Sequence, residues 1–82
     1  MSTSNNARVV INAFILNEYE TLLKAHDWTY EYSDDFRVWT RGREEYHKLV
    51  GLRTRLIESG LRKEADEYWN KHATHERFKI RP

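Results

Sequence analysis

Hydrophobic residues recur every three or four positions along most of the chain, which is the spacing of an amphipathic α-helix. In the first such segment the apolar stripe consists of Ile11, Ile15, Tyr19, Leu22 and Leu23. It predicts a helix over about 9–26, and Phe14, Leu16 and Ala25 widen the stripe. Because so wide a stripe leaves little of the helix for solvent, we expect this helix to be buried on more than one side.

A second segment predicts the longest helix, over about 34–58, with Ser33 as its N-cap and acids in its first turn. Gly42 and Gly51 each weaken a helix by about 1 kcal/mol relative to alanine, so a break near Gly42 is the alternative. Gly60 stands where a C′ glycine would end the helix. The repeating positions are Phe36, Trp39, Arg43, Tyr46, Val50, Arg53 and Ile57, with Leu49, Leu52 and Leu56 alongside.

The third segment predicts a helix over about 61–73 from the spacing of Leu61, Ala65, Tyr68, Trp69 and His72. A short turn at Gly60 places helices two and three antiparallel, and helix one then covers the remaining apolar face. We therefore predict an all-α fold, a three-helix arrangement with a long central helix and an αα-hairpin. Its core is expected to contain Trp39, Tyr46, Leu49, Leu56, Tyr68 and Trp69 together with Leu22.

The connector between helices one and two, residues 27–32, changes from a period of 3.6 to a period of two. An extended connector or an isolated strand would place Trp28, Tyr30 and Tyr32 on one side. Two interpretations stay open: the rings pack into the end of the core, or they are exposed and bind a partner. We take the three rings as candidate protein-binding residues, because tyrosine and tryptophan are enriched in interface hot spots.

The domain boundaries follow from these elements. We predict a disordered N-terminal tail over residues 1–8, a single helical domain over 9–74 and a basic C-terminal tail over 75–82, which is either a frayed end or a docking strand. A chain of 82 residues has room for one modest core. Its stability is expected to be marginal unless a partner or self-association adds buried surface, which leaves a homo-oligomer open.

Composition narrows the class of protein. The sequence contains no cysteine, so disulfides and thiolate zinc sites cannot supplement the small core. The apolar run at residues 9–16 is too short for a membrane span, and the polar residues before it do not resemble a cationic leader. We expect a cytoplasmic protein that has no membrane contact.

Charge is unevenly distributed although the net charge is only +1. Residues 1–36 carry two basic and six acidic side chains, whereas residues 37–63 carry eight basic and three acidic ones. Either this asymmetry orients the protein on a partner, or the acidic and basic side chains pair with each other within the fold. Candidate phosphate contacts on helix two and the following turn are Arg37, Arg41, Lys48, Arg55, Arg62 and Lys63. The near-neutral net charge favours a solvated helix face over nucleic-acid binding.

Three short motifs resemble parts of catalytic or metal-binding sites, but the other residues that such sites need are missing. Tyr-Ser-Asp-Asp at 32–35 matches a polymerase motif, but a short helical chain has no palm sheet or nucleotide pocket, and a capped helix start explains it. The histidines and glutamate of 72–76 lack the zincin spacing. His26 and Asp27 have no marked nucleophile beside them. We expect no enzyme activity, no catalytic or metal-binding residue and no cofactor.

Residues 26–42 read HDWTYEYSDDFRVWTRG and resemble a segment of small bacteriophage-encoded proteins of unknown function. In those proteins an HDW, a tyrosine and an SDD are followed by an aromatic residue and a glycine. The resemblance implies a phage source and the host cytoplasm as location, and it carries over no site residue. Small phage accessory proteins often bind a host enzyme, a defence component or nucleic acid.

From the residues and the resemblance together we expect a non-enzymatic phage accessory protein that binds a host protein as an inhibitor or modulator. It would use the long helix and the aromatic connector. The alternative is a small nucleic-acid-binding protein that uses the basic face of helix two.

Overall fold

The computed structural model describes residues 3–81, and their side chains from residue 7 onward. This part of the chain contains no strand, and none of its helices is both long and apolar enough to span a bilayer. The predicted all-α fold is confirmed. Its helices are α1 (Thr3–Ala25), α2 (Phe36–Glu58) and α3 (Arg62–His72), with 3₁₀ helices at Tyr30–Tyr32 and Glu76–Phe78.

Helix α1 begins at Thr3 rather than at the predicted Val9, so residues 3–8 of the predicted N-terminal tail belong to the helix. Periodicity could not locate this start, because the residues from Thr3 to Arg8 are almost all polar and carry no apolar stripe. The first two residues of the predicted tail lie outside the described residues.

The connector folds as a turn and a 3₁₀ helix, so the prediction of an extended segment is wrong. The Asp27 carboxylate accepts hydrogen bonds from the Thr29 backbone N–H at 2.9 Å and from the Thr29 hydroxyl at 2.6 Å. The Tyr32 N–H then donates to the Thr29 carbonyl at 3.0 Å. With three residues per turn, side chains two positions apart point in different directions. Tyr30 and Tyr32 therefore do not share a side.

Helix α2 starts two residues later than predicted and runs without a break. Its N-cap is Asp35 rather than Ser33, because the Asp35 carboxylate accepts from the Arg37 N–H at 2.9 Å. The helix continues through Gly42, so the alternative of a break there is excluded. Gly42 is buried instead, against the side chain of Tyr30.

The end of α2 is a Schellman motif. The Leu61 N–H donates to the Leu56 carbonyl at 2.8 Å, and the Gly60 N–H donates to the Ile57 carbonyl at 3.0 Å. Gly60 has a φ of 85°, which side-chain-bearing residues rarely adopt. The predicted C′ glycine is confirmed, and the turn is short enough to fold α3 back on α2.

Contacts across the turn show that α2 and α3 form the predicted antiparallel hairpin. Near the turn, Arg53 Nε donates to Asp66 Oδ1 at 2.8 Å, and farther away the Tyr46 and Trp69 rings lie 5.7 Å apart. Helix α1 joins through the Tyr19 hydroxyl, which donates to the Ala65 carbonyl at 2.6 Å. Burial raises the pKa of Tyr19, so this hydroxyl stays protonated as a donor.

The core lies where the three helices meet the connector. Of the predicted core residues, Leu49, Leu56 and Trp69 are buried, whereas Leu22, Trp39, Tyr46 and Tyr68 are half-buried and pack against them. The complete buried cluster is Tyr19, Leu23, Trp28, Tyr30, Leu49, Leu52, Leu56, Ala65, Trp69, Ala73 and Phe78.

The C-terminal segment packs against α3. Trp69 Nε1 donates to the Phe78 carbonyl at 2.6 Å, and the Phe78 ring is buried. The Asn70 amide forms two hydrogen bonds with the Ile80 backbone, at 2.6 and 2.8 Å. The segment is therefore bound as a 3₁₀ turn, neither frayed nor a strand, up to residue 81; Pro82 lies outside the described residues.

Two carboxyl groups, those of Glu20 and Asp27, are expected to make the stability of the fold depend on pH. His72 Nε2 lies 3.0 Å from Glu20 Oε2 and links α3 to α1, and this hydrogen bond lowers the pKa of Glu20. The hydrogen bonds from Thr29 lower the pKa of Asp27 in the same way. A carboxyl whose pKa is lower in the folded state stabilises the fold above its unfolded pKa and loses that contribution as pH falls through the folded pKa.

We expect the free energy of unfolding to decrease as pH is lowered from about 6 to about 3. Urea unfolding at a series of pH values measures this slope. Glu20→Gln and Asp27→Asn should each make the slope shallower, and the double variant should make it shallower still. Equal slopes in all four proteins would show that neither hydrogen bond stabilises the folded state.

Candidate protein-interaction surface

Two of the three predicted contact residues are core residues. Trp28 is 3% exposed and Tyr30 is 5% exposed. The Trp28 ring packs against the rings of Trp69 and Phe78, each at 5.4 Å. The interpretation of these rings as a partner-binding group is therefore corrected to core packing for Trp28 and Tyr30. Tyr32 alone, 61% exposed, is available to a partner.

A different aromatic group is exposed on the first two turns of α2. Phe36 is 76% exposed, and its ring stacks on that of Trp39 at 6.4 Å with an angle of 17° between the planes. The guanidinium carbon of Arg43 lies 5.4 Å from the centre of the Trp39 ring, in cation–π contact. Spacings of three and four keep the three side chains on one side of the helix. We call Phe36, Trp39 and Arg43 the aromatic stack.

The aromatic stack borders a surface hollow of about 440 Å³. The hollow combines aromatic walls with one acidic and one basic group, a mixture that suits a side chain of a protein partner. Its lining residues are Tyr30, Glu31, Trp39, Arg43, Tyr46 and His47.

Tyr32 follows Glu31, a lining residue of the hollow, in the sequence and is held by the C-terminal segment. Its ring packs on the His75 ring at 5.3 Å. Arg77 forms an ion pair with Glu31, with Nη1 2.9 Å from Oε2. A hydrogen bond with Tyr32, together with the Glu31 carboxylate, raises the pKa of Arg77. These contacts tie the exposed ring and one wall of the hollow to the folded tail.

The six basic residues of the nucleic-acid alternative are all exposed: Arg37, Arg41, Lys48, Arg55, Arg62 and Lys63. Spacings of four and seven place the first four on one side of α2, but Glu44 and Glu58 occupy the same stripe. The other two lie at the start of α3. The stripe is therefore not purely cationic, and by helical phase it is on the side of α2 away from the aromatic stack.

The other motifs are placed apart from one another. His26 is buried, and its Nδ1 lies 3.1 Å from Glu45 Oε1, while the Asp27 carboxylate accepts from Thr29. His72 pairs with Glu20. Among the residues that the structure describes, no group of three metal-binding side chains converges.

Helix α1 carries a second exposed apolar surface. The hairpin covers only the side that bears Tyr19 and Leu23, and the opposite side of the first turns stays open. The expectation that α1 is buried on more than one side is therefore wrong. The exposed large side chains there are Val9, Val10 and Phe14, whereas Ile11, also exposed, lies towards the end of α2.

Sequence reasoning missed the aromatic stack because it assigned Phe36 and Trp39 to the core stripe. The phase of α2 is set by its buried leucines, which leave Trp39 at the edge of the core and Phe36 exposed. A phenylalanine directly after an N-cap, followed by tryptophan and arginine at the next two helical spacings, was the available signal.

No protein family, curated protein or solved structure matches this chain.

Proposed function

We propose that the protein is a non-enzymatic binding protein that attaches to another protein through the aromatic stack, with the exposed Tyr32 as a further candidate contact. The observation that carries the proposal is that the Phe36 side chain is 76% exposed while its ring stacks on that of Trp39. A large apolar ring in water is removed from solvent when a partner covers it, which favours association.

The stack has the composition and rigidity of an interface hot spot. Tryptophan and arginine, two of its three members, are among the residues most enriched in hot spots, and phenylalanine is enriched in the cores of interfaces. The rings stand on a helix whose other side is packed in the core, and Arg43 is already placed over Trp39. Little conformational entropy is left to lose on binding, so more of the contact energy contributes to affinity.

The hollow beside the stack indicates the chemistry of the partner. Its aromatic walls fit an aliphatic or aromatic side chain, while Glu31 and Arg43 can bind polar groups around it. We therefore propose that a partner segment inserts one apolar side chain into the hollow and covers Phe36. Charges of both signs near the hollow disfavour a polyanion there.

The resemblance of residues 26–42 to phage proteins supports a host protein as the partner. On this proposal the protein acts in the host cytoplasm as an inhibitor or modulator of a host enzyme or defence system. The segment that carries the resemblance includes Phe36 and Trp39, the two rings of the stack.

Replacing Phe36 by alanine should weaken binding about 30-fold or more, the effect of losing a hot-spot ring. The bait is the whole protein, used to capture host proteins from bacterial lysate, and the captured partner is then purified and titrated by calorimetry. Phe14→Ala, which removes another exposed phenylalanine on α1, is the matched control and should bind as the wild type does.

If the protein instead binds nucleic acid, the variants are expected to have the opposite effects on binding. Affinity for duplex DNA would fall steeply with salt, by about 0.9 logarithmic units per contacted phosphate for each tenfold rise in salt. Charge reversal at Arg41, Arg55 and Lys63 would abolish it, and Phe36→Ala would leave it unchanged. Such binding at physiological salt, together with no Phe36-dependent protein partner, would replace the proposal by the alternative.

A further inference from the structure

The hollow beside the aromatic stack has one acidic and one basic lining residue, Glu31 and Arg43, and only the acidic one is already paired. Arg77 is the counter-ion of Glu31, since its Nη1 lies 2.9 Å from Glu31 Oε2. The Glu31 side chain is also only 29% exposed, which leaves little of it for a second cation. The acidic charge of the hollow is therefore neutralised within the fold.

Arg43, by contrast, has no acidic counterpart. Among the side chains of residues 7–81, which the structure describes, no carboxylate lies within salt-bridge distance of its guanidinium. Arg43 is exposed, and its guanidinium carbon lies 5.4 Å from the centre of the Trp39 ring. A guanidinium beside a ring still offers a planar fork of N–H donors, which fits a carboxylate through two parallel hydrogen bonds. The unmatched charge of the hollow is thus positive.

We propose that Arg43 selects the partner: the segment that fills the hollow carries an aspartate or glutamate within a few residues of its inserted apolar side chain, and this carboxylate pairs with the Arg43 guanidinium. The inference rests on the proposed function, since it names the chemistry of the segment that binds the aromatic stack. Complementary charges across an interface fix the register of the partner and exclude segments with the wrong charge.

A cation in the hollow is the competing occupant, because aromatic walls with a carboxylate also form sites for ammonium groups. Both features of such a site are already in use here. Glu31 has Arg77 as its counter-ion, and the Trp39 ring has the Arg43 guanidinium beside it. A further cation would be repelled by both guanidinium groups, whereas a carboxylate is attracted by them.

The spacing of the stack limits where the carboxylate can lie in the partner. Phe36 and Arg43 are seven positions apart on α2, which is about 10 Å along the helix axis. An extended segment covers that distance with about three residues, and a helical segment covers it with about two turns. We therefore expect the acidic residue at one fixed distance in sequence from the apolar residue that covers Phe36.

Selection of random peptides on the whole protein tests the inference. The peptides are displayed as N-terminal fusions, so that their carboxylates come from side chains. Those selected should bind Phe36→Ala about 30-fold more weakly, and they should be enriched in aspartate or glutamate at one fixed distance from an apolar residue. In a synthetic copy of one such peptide, changing the acid to its amide should weaken binding to wild type about tenfold. The same change should leave binding to Arg43→Gln nearly unaltered.

Arg8→Gln is the matched control for the loss of one positive charge. Arg8 is exposed and lines a different hollow with Arg55 and Glu58, beside the far end of α2. This variant should keep the preference for acidic peptides. Arg43→Glu should reverse it, so that selection on this variant enriches lysine or arginine at the same position. Circular dichroism would show whether each variant keeps its helices.

The outcomes separate this inference from the proposed function. Phe36-dependent peptides without an acidic preference, or with one that Arg43→Gln keeps, would overturn the inference and leave the proposed function standing. Basic residues enriched on wild type would overturn it as well and would assign the hollow to a cation. Peptides that bind Phe36→Ala as tightly as wild type, or a library without any binder, would count against both.

Discussion

Replacing Trp69 by alanine is expected to reduce the free energy of unfolding by about 3 to 5 kcal/mol, a large fraction of what a domain of this size has. Trp69 is 2% exposed and contacts the rings of Trp28 and Tyr46. Its Nε1 also donates to the Phe78 carbonyl at 2.6 Å. The variant therefore creates a cavity and removes a hydrogen bond that holds the C-terminal segment. Urea unfolding followed by circular dichroism measures the loss.

Phe36→Ala is the control for this prediction, because it also removes a large ring but from an exposed position. Substitutions at the surface usually change stability by less than about 0.5 kcal/mol. An equal loss in both variants would show that the Phe36 ring is packed and that the assigned phase of α2 is wrong.

The second large loss of stability is expected for Gly42→Ala. A Cβ at Gly42 would overlap Cβ and Cγ of Tyr30, far inside van der Waals contact. Tyr30 is itself buried, so the connector must shift for the methyl group to fit. Overpacking of this kind typically costs about 1 to 3 kcal/mol, and the clash with Cβ, close to the backbone, places this variant at the upper end. Thermal and urea unfolding would report it.

Gly51→Ala is the matched control in the same helix. Apart from its chain neighbours and the backbone of its own helix, no described atom lies within 4 Å of the position that its Cβ would take. Alanine should therefore stabilise α2 by about 0.5 to 1 kcal/mol through helix propensity alone. Two glycine-to-alanine changes nine positions apart are thus expected to have opposite signs. Stabilisation by both would show that the connector does not pack against Gly42.

The helices could be predicted because their signals are local. The three-and-four spacing in α2 and the glycine at Gly60 specify a helix, its end and the reversal that follows, whatever surrounds them. The predicted bounds of α2 differ from the observed ones by two residues at the start and by none at the end. Trp69 as a core residue follows from the same periodicity.

The connector could not be predicted because an alternating pattern is short and ambiguous. Alternating aromatics at Trp28, Tyr30 and Tyr32 fit a strand, but the Asp27 side chain caps the Thr29 N–H and turns the chain instead. The absence of a side chain at Gly42 then admits Tyr30 to the core. Because Tyr30 and Gly42 are far apart in the sequence, no local pattern predicts their contact.

The exposed surfaces were hardest to predict because exposure depends on how much of each helix the others cover. Val10 and Phe14 have the spacing of core residues, yet no element of the described residues covers that side of α1. Phe36 likewise fits the apolar stripe of α2 but lies in the first turn and is exposed, outside the buried cluster. A sequence shows which residues are apolar, and tertiary packing decides which of them are left for a partner.

The most direct test of protein binding through the aromatic stack is quantitative mass spectrometry of host proteins captured by wild type, Phe36→Ala and Phe14→Ala. Binding through the stack predicts at least one host protein that is retained by wild type and Phe14→Ala and depleted about 30-fold or more on Phe36→Ala. Identical sets of captured proteins on all three baits would contradict it.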